Sequence, residues 1–75
     1  MEQLIDVLKE IDDEVDWAEE DDLIEKRILD SIKVITLIME LETVFDISIG
    51  AGEITKDNFN SADAMWKMIC RLQDR

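Results

Sequence analysis

Seventy-five residues carry 20 acidic and 8 basic side chains, a net charge of −12, with no histidine, tyrosine or proline and a single cysteine. That inventory excludes histidine-based nucleophile systems and histidine-bearing zinc sites, an internal disulfide, and the clustered Lys and Arg that nucleic-acid binding needs. Neither an enzyme nor adsorption to an anionic membrane face is expected from it.

The length allows one domain, residues 1–75, with a small core. Its longest nearly apolar run, residues 34–39, is interrupted by Thr36 and too short to cross a bilayer. The N-terminal Met1-Glu2-Gln3 lacks the basic region of a signal peptide, so the cytoplasm is the expected location; the chain is also expected to be a monomer. With no proline, two glycines and many Leu, Ile, Glu and Lys, the chain reads as all-α.

A first helix is predicted over residues 2–15, where Leu4, Leu8, Ile11 and Val15 recur at helical spacing, Ile5 lies beside them, and Asp6, Lys9, Glu10 and Asp13 lie opposite. Residues 16–30 form a long connection, pinned to the core by Leu23, Ile24, Ile28 and Leu29, because a long unpinned loop is unusual in so small a domain. Between Glu10 and Glu25 there are ten acidic residues and no basic one. An EF-hand register starting at Asp12 fails there: Trp17 stands where the invariant glycine belongs, and Leu23 where the bidentate Glu belongs. No metal site is expected, and the acidic run reads as a solvated segment that attracts basic partners.

The second helix is predicted over residues 30–45. A turn at Gly50-Ala51-Gly52 follows, then a single helical turn over residues 53–57. A last helix comes after Asn60-Ser61, both good N-cap residues, with Ala62, Met65, Trp66, Ile69 and either Leu72 or Gln73 on its periodic face. Cys70 reads as a small hydrophobe at the core edge, Phe45 and Trp66 as core, and Trp17 as either packed on the core or exposed. The expected architecture is a small four-helix bundle: three main helices, a short third one and a long first loop.

The second helix carries two apolar stripes. With Val34 as zero, Leu37, Ile38, Leu41 and Phe45 fall within about 60° of it, which makes that arc the core face. Ile32, Ile35 and Met39 fall near about 160°, 100° and 140°, on the side that a surface helix normally fills with polar residues. Either the long loop folds over these three, or they form a docking surface for a partner.

Asp30-Ser31 opens this helix. Both are ordinary N-cap residues, and a serine at a helix N-terminus also suits an attached phosphate group, which free backbone N–H groups and the positive dipole end stabilise. The run Leu29-Asp30-Ser31-Ile32, continuing through Leu37-Ile38-Met39-Glu40-Leu41-Glu42 to Phe45-Asp46-Ile47, resembles the acyl, peptidyl and D-alanyl carrier-protein family. The resemblance covers essentially the whole chain. It implies a four-helix bundle bearing a covalent 4′-phosphopantetheine arm on Ser31, preceded by Asp30, with Ile32, Ile35 and Met39 as partner contacts on a recognition helix. It further implies a phosphopantetheinyl transferase, an activating ligase and a downstream transferase as partners, and cargo held as a thioester by a domain that does not itself catalyse.

Within that family, the Leu29-Asp30-Ser31 form and the Asn58-Phe59-Asn60-Ser61 segment look most like D-alanyl carriers. Lys33 and Thr36 stand where fatty-acid carriers have acidic residues, which speaks against fatty-acid-synthase-type partners. Arg27 stands where D-alanyl and peptidyl carriers often have glycine. D-alanyl or other aminoacyl cargo is therefore favoured over an acyl cargo. The rival reading from another class is an acidic helical adaptor without a prosthetic group.

Overall fold

The computed structural model describes residues 1–74. Its elements run in the order α1 (Glu2–Ile11), α2 (Ser31–Phe45), a 3-10 turn (Ala51–Glu53), α3 (Lys56–Phe59) and α4 (Ala62–Gln73). This is the expected all-helical bundle: α1 packs on α2 and α4, and the short α3 packs on α4.

α1 buries Leu4, Val7 and Leu8, and leaves Ile5 and Ile11 half-buried. It ends at Ile11, earlier than the predicted residue 15. At Asp12 the backbone turns extended, with φ −158° and ψ 109°. The Asp12 carboxylate accepts the Glu14 amide at 3.1 Å, and the Trp17 indole N–H donates to the Asp12 carbonyl at 2.8 Å. A short aspartate side chain that captures a nearby amide offers the backbone an alternative to the helix. Here a fully buried Trp17 holds that alternative in place. Val15 still packs against the core, but from the loop.

The long loop is pinned as predicted: Leu23 and Leu29 are buried, and Ile24 and Ile28 are half-buried. Asn60, at the junction of α3 and α4, stitches it down. Its carbonyl accepts the Leu23 amide at 2.9 Å, its side-chain oxygen accepts the Ile24 amide at 3.2 Å, and its side-chain NH2 donates to Asp22. At the end of the loop the Ile28 amide reaches the Leu23 carbonyl and the Arg27 amide reaches the Ile24 carbonyl. This is the pairing of a Schellman motif, which puts Arg27 at the left-handed position, φ 60°. Asp46 fills the same role after α2, with φ 51°.

The single turn predicted over residues 53–57 is instead split in two. Thr55 accepts the Asn58 amide and caps α3, so the chain stays outside the helix at Ile54 and Thr55. Ser61 caps α4 by accepting the Ala64 amide at 3.0 Å. α4 buries Ala62, Met65, Met68, Ile69 and Leu72, which settles the last periodic position on Leu72 rather than Gln73. Met68 completes the face, while Trp66 and Cys70 are half-buried. The Trp66 ring meets Phe45 edge-on at 6.0 Å, joining α4 to the end of α2.

Candidate functional site

α2 starts abruptly because Asp30 caps it. The Asp30 carboxylate accepts the Lys33 amide at 2.9 Å and its carbonyl accepts the Val34 amide at 2.9 Å. Ser31 is therefore the first helical residue, and it is exposed. The amides of Ser31 and Ile32, the first two donors of the helix, have no acceptor among the described residues. An exposed hydroxyl beside free amide donors at the positive end of a 15-residue helix is a favourable place for a bound anionic group.

The two stripes of α2 have opposite fates. Leu37, Leu41 and Phe45 are buried, with Val34 and Ile38 half-buried beside them. Ile32, Ile35 and Met39 are 77%, 60% and 63% exposed, so the loop does not fold over them. Two threonines on the same helix make its surface more apolar than their type suggests. Thr36 donates its hydroxyl to the Ile32 carbonyl and Thr43 donates to the Met39 carbonyl, each at 3.0 Å. Both hydroxyls are thereby engaged by the helix backbone.

Lys33, two residues after Ser31, does not belong to the outer stripe. Its ammonium group turns inward to the Asp12 carboxylate at 3.3 Å and the Ile28 carbonyl at 3.4 Å, tying the start of α2 to the end of α1 and to the loop. The Glu14 amide first, and this ammonium second, hold the Asp12 carboxyl below the ordinary carboxylate range.

Beside Ser31 lies an open cleft of about 480 Å³, lined by Ile24, Arg27, Leu29, Asp30, Ser31, Val34 and Ile54. Its apolar lining is Ile24, Leu29, Val34 and Ile54, and the exposed Asp30, Ser31 and Arg27 make up its polar rim. Sequence patterning placed Asp30 and Ser31 together, but not Ile54, which is 23 residues downstream of Ser31. Ile54 reaches the cleft because the turn between the 3-10 helix and α3 holds it outside both elements. Glu53 anchors that turn through a two-pronged pairing with Arg71 of α4, at 2.8 and 2.6 Å, and by accepting from the Asn58 side chain. The Arg71 guanidinium is held above its ordinary value by this hydrogen bonding to Glu53.

Among the described residues, the acidic run forms no cluster of three or more ligand side chains around a common point. Some of its charge is met by cations: Lys26 pairs with Glu20 and Asp21, and Lys56 of α3 pairs with Glu25. No helix among the described residues is long and apolar enough to cross a membrane.

No protein-family model matches the chain. Known proteins do. It is 37% identical over 76 residues to a D-alanyl carrier protein of Lactococcus lactis subsp. cremoris, covering 99% of this chain and 92% of that protein. It is 34% identical over 73 residues to a D-alanyl carrier protein of Streptococcus mutans, covering 92% of each. A D-alanyl carrier protein of Lactobacillus delbrueckii subsp. bulgaricus is 28% identical over 74 residues, covering 96% of this chain and 91% of that protein.

Proposed function

This chain belongs to the D-alanyl carrier protein family, and on that premise we propose that it carries an aminoacyl group, D-alanine above all, on a 4′-phosphopantetheine arm attached to Ser31. The observation that carries the reading is an exposed serine at the first position of α2, beside free backbone donors and an apolar cleft. The residues present fit the group. The Ser31 hydroxyl is accessible for esterification, and the unsatisfied amides of Ser31 and Ile32 suit a phosphodiester. The apolar cleft walls, Ile24, Leu29, Val34 and Ile54, suit an uncharged chain.

Asp30 has a structural part in this arrangement. By capping the helix through the Lys33 amide it leaves the Ser31 hydroxyl outside the hydrogen-bonded turn. When bound, the arm supplies a terminal thiol that holds the cargo as a thioester, reactive toward partner enzymes. Installation would make one P–O bond to the Ser31 oxygen, break the pyrophosphate P–O bond of coenzyme A, pass the hydroxyl proton to the transferase or water, and release the nucleotide half as the leaving group. The domain itself presents the group and leaves chemistry to its partners. Those partners are the phosphopantetheinyl transferase, the ligase that activates the amino acid and the transferase that takes it onward. Ile32, Ile35 and Met39 are the contacts proposed for them, with adaptable methionine and β-branched side chains on a helix face that the fold does not need.

The test is incubation with coenzyme A and a broad-specificity transferase, followed by intact mass measurement beside Ser31→Ala. The wild-type chain is expected to gain one arm and the variant none. A wild-type chain left unmodified, by a transferase that loads a control carrier in the same tube, points instead to an adaptor without a prosthetic group. Loading of the modified chain with D-alanine, other amino acids or fatty acids, each with its activating enzyme, then separates aminoacyl from acyl cargo.

A further inference from the structure

We propose that Arg27 is a positioning residue whose guanidinium pairs with the phosphodiester on Ser31 and holds the root of the arm against the cleft. This inference rests on the reading of Ser31 as the attachment point.

Seven lysines and arginines are described, and five of them, Lys26, Lys33, Lys56, Lys67 and Arg71, form ion pairs with carboxylates. In a chain with 20 acidic residues that is the expected behaviour of a cation. Lys9, on the outside of α1, and Arg27 have no such partner among the described residues. Arg27 is the informative exception, because it lines the same cleft as Ser31 and Asp30. Even the Asp30 carboxylate on that rim is directed to the Lys33 amide rather than to Arg27.

The position is also one where a long side chain is not the natural choice. Arg27 occupies the left-handed site of a Schellman motif, φ 60°, which favours glycine and otherwise asparagine or aspartate. A guanidinium offers a planar fork of donors that matches two phosphate oxygens at once, which a lysine ammonium does not. A free cation on the rim, next to a hydroxyl at a helix N-terminus, supplies the side-chain half of an anion site whose backbone half is the Ser31 and Ile32 amides.

The measurement compares the chain before and after arm installation, for wild type, Arg27→Gln and Arg27→Lys, with loading verified by intact mass. In the wild type, loading is expected to shift the Arg27 side-chain Nε–H resonance and to raise the melting temperature. In Arg27→Gln that rise should be smaller by on the order of 1–5 °C, and the 31P resonance of the loaded chain should differ from wild type. Arg27→Lys should fall between them, and added salt should shrink the difference. Because Arg27 is exposed and unpaired, the unloaded Arg27→Gln chain should melt close to the unloaded wild type. Full loading with an unmoved Nε–H resonance, an unchanged 31P resonance and equal rises in all three chains overturns the pairing while leaving the Ser31 reading intact. A wild-type chain that takes up no arm overturns the Ser31 reading itself, and the pairing with it.

Discussion

The two faces of α2 are built from the same kinds of side chain and meet different surroundings. Leu37, Leu41 and Phe45 on one face disappear into the core, whereas Ile32, Ile35 and Met39 on the other stay in solvent. Hydropathy does not separate them; the partners of the helix do. α1 packs against this helix on its inner side, and nothing among the described residues covers the outer one. Apolar area left in water contributes nothing to folding, which is the ground on which this face is proposed as a docking surface. The charge distribution agrees. Residues 1–30 hold 13 acidic and 3 basic side chains against 7 and 5 in residues 31–75, so on the proposed function long-range steering would come from one half of the molecule and the apolar contact from the other.

The sharpest way to break the comparison is to cut into the inner face. Leu41→Ala leaves a cavity at a fully buried position and is expected to cost about 2–5 kcal/mol in a urea denaturation. A loss as small as that of a surface substitution would show that the inner face is not the core. Asn60→Ala removes the acceptor for the Ile24 amide and the contact to Asp22, and with them part of the stitching of the first loop beside the cleft. About 1 kcal/mol of stability should go with it, with faster amide hydrogen exchange at Ile24 as the local sign.

Lys33 marks the border between the faces, and acid tests its pairing. In the folded chain the Asp12 carboxyl lies below its ordinary value of 3.8, chiefly through the Glu14 amide and then through Lys33. The folded state therefore takes up this proton less readily than the unfolded state. The stabilisation is complete above the unfolded value and is lost as pH falls through the lower folded one. Asp12→Asn should thus flatten the acid side of a stability profile and leave its neutral side parallel to wild type. The smallest change is expected from Ile35→Ala on the outer face, which should stay within about 0.5 kcal/mol of wild type. A larger loss in urea denaturation would mean that this face is structural.

Much of the fold is legible in the sequence where local signals agree. Asp30 as cap and an unbroken periodic run place α2 at Ser31–Phe45, and Ser61 does the same for the start of α4. α1 was harder to bound because Val15 continues the helical spacing, while what ends the helix is a contact from Trp17 that spacing does not encode. The left-handed positions were hidden for a similar reason. They fall on Asp22, Arg27 and Asp46, and both glycines have ordinary backbone angles. Of the site, Asp30, Ser31 and the outer stripe follow from order along one helix. The cleft does not, because Ile54 reaches it through a turn fixed by the long-range pairing of Glu53 with Arg71, and Arg27 through a left-handed turn that no glycine marks. The inward turn of Lys33 likewise depends on Asp12, 21 residues away.

The division of labour between the two faces of α2 is tested most directly by arm installation on Ile35→Asp/Met39→Asp, with melting temperatures taken on the same samples. A docking surface that the fold does not use predicts a fall in kcat/KM for the transferase of about tenfold or more, since a lost contact of about 1.4 kcal/mol already amounts to that factor. Its melting temperature should remain close to that of wild type. An unchanged kcat/KM, or a loss of rate that merely follows a loss of folding, would contradict the account.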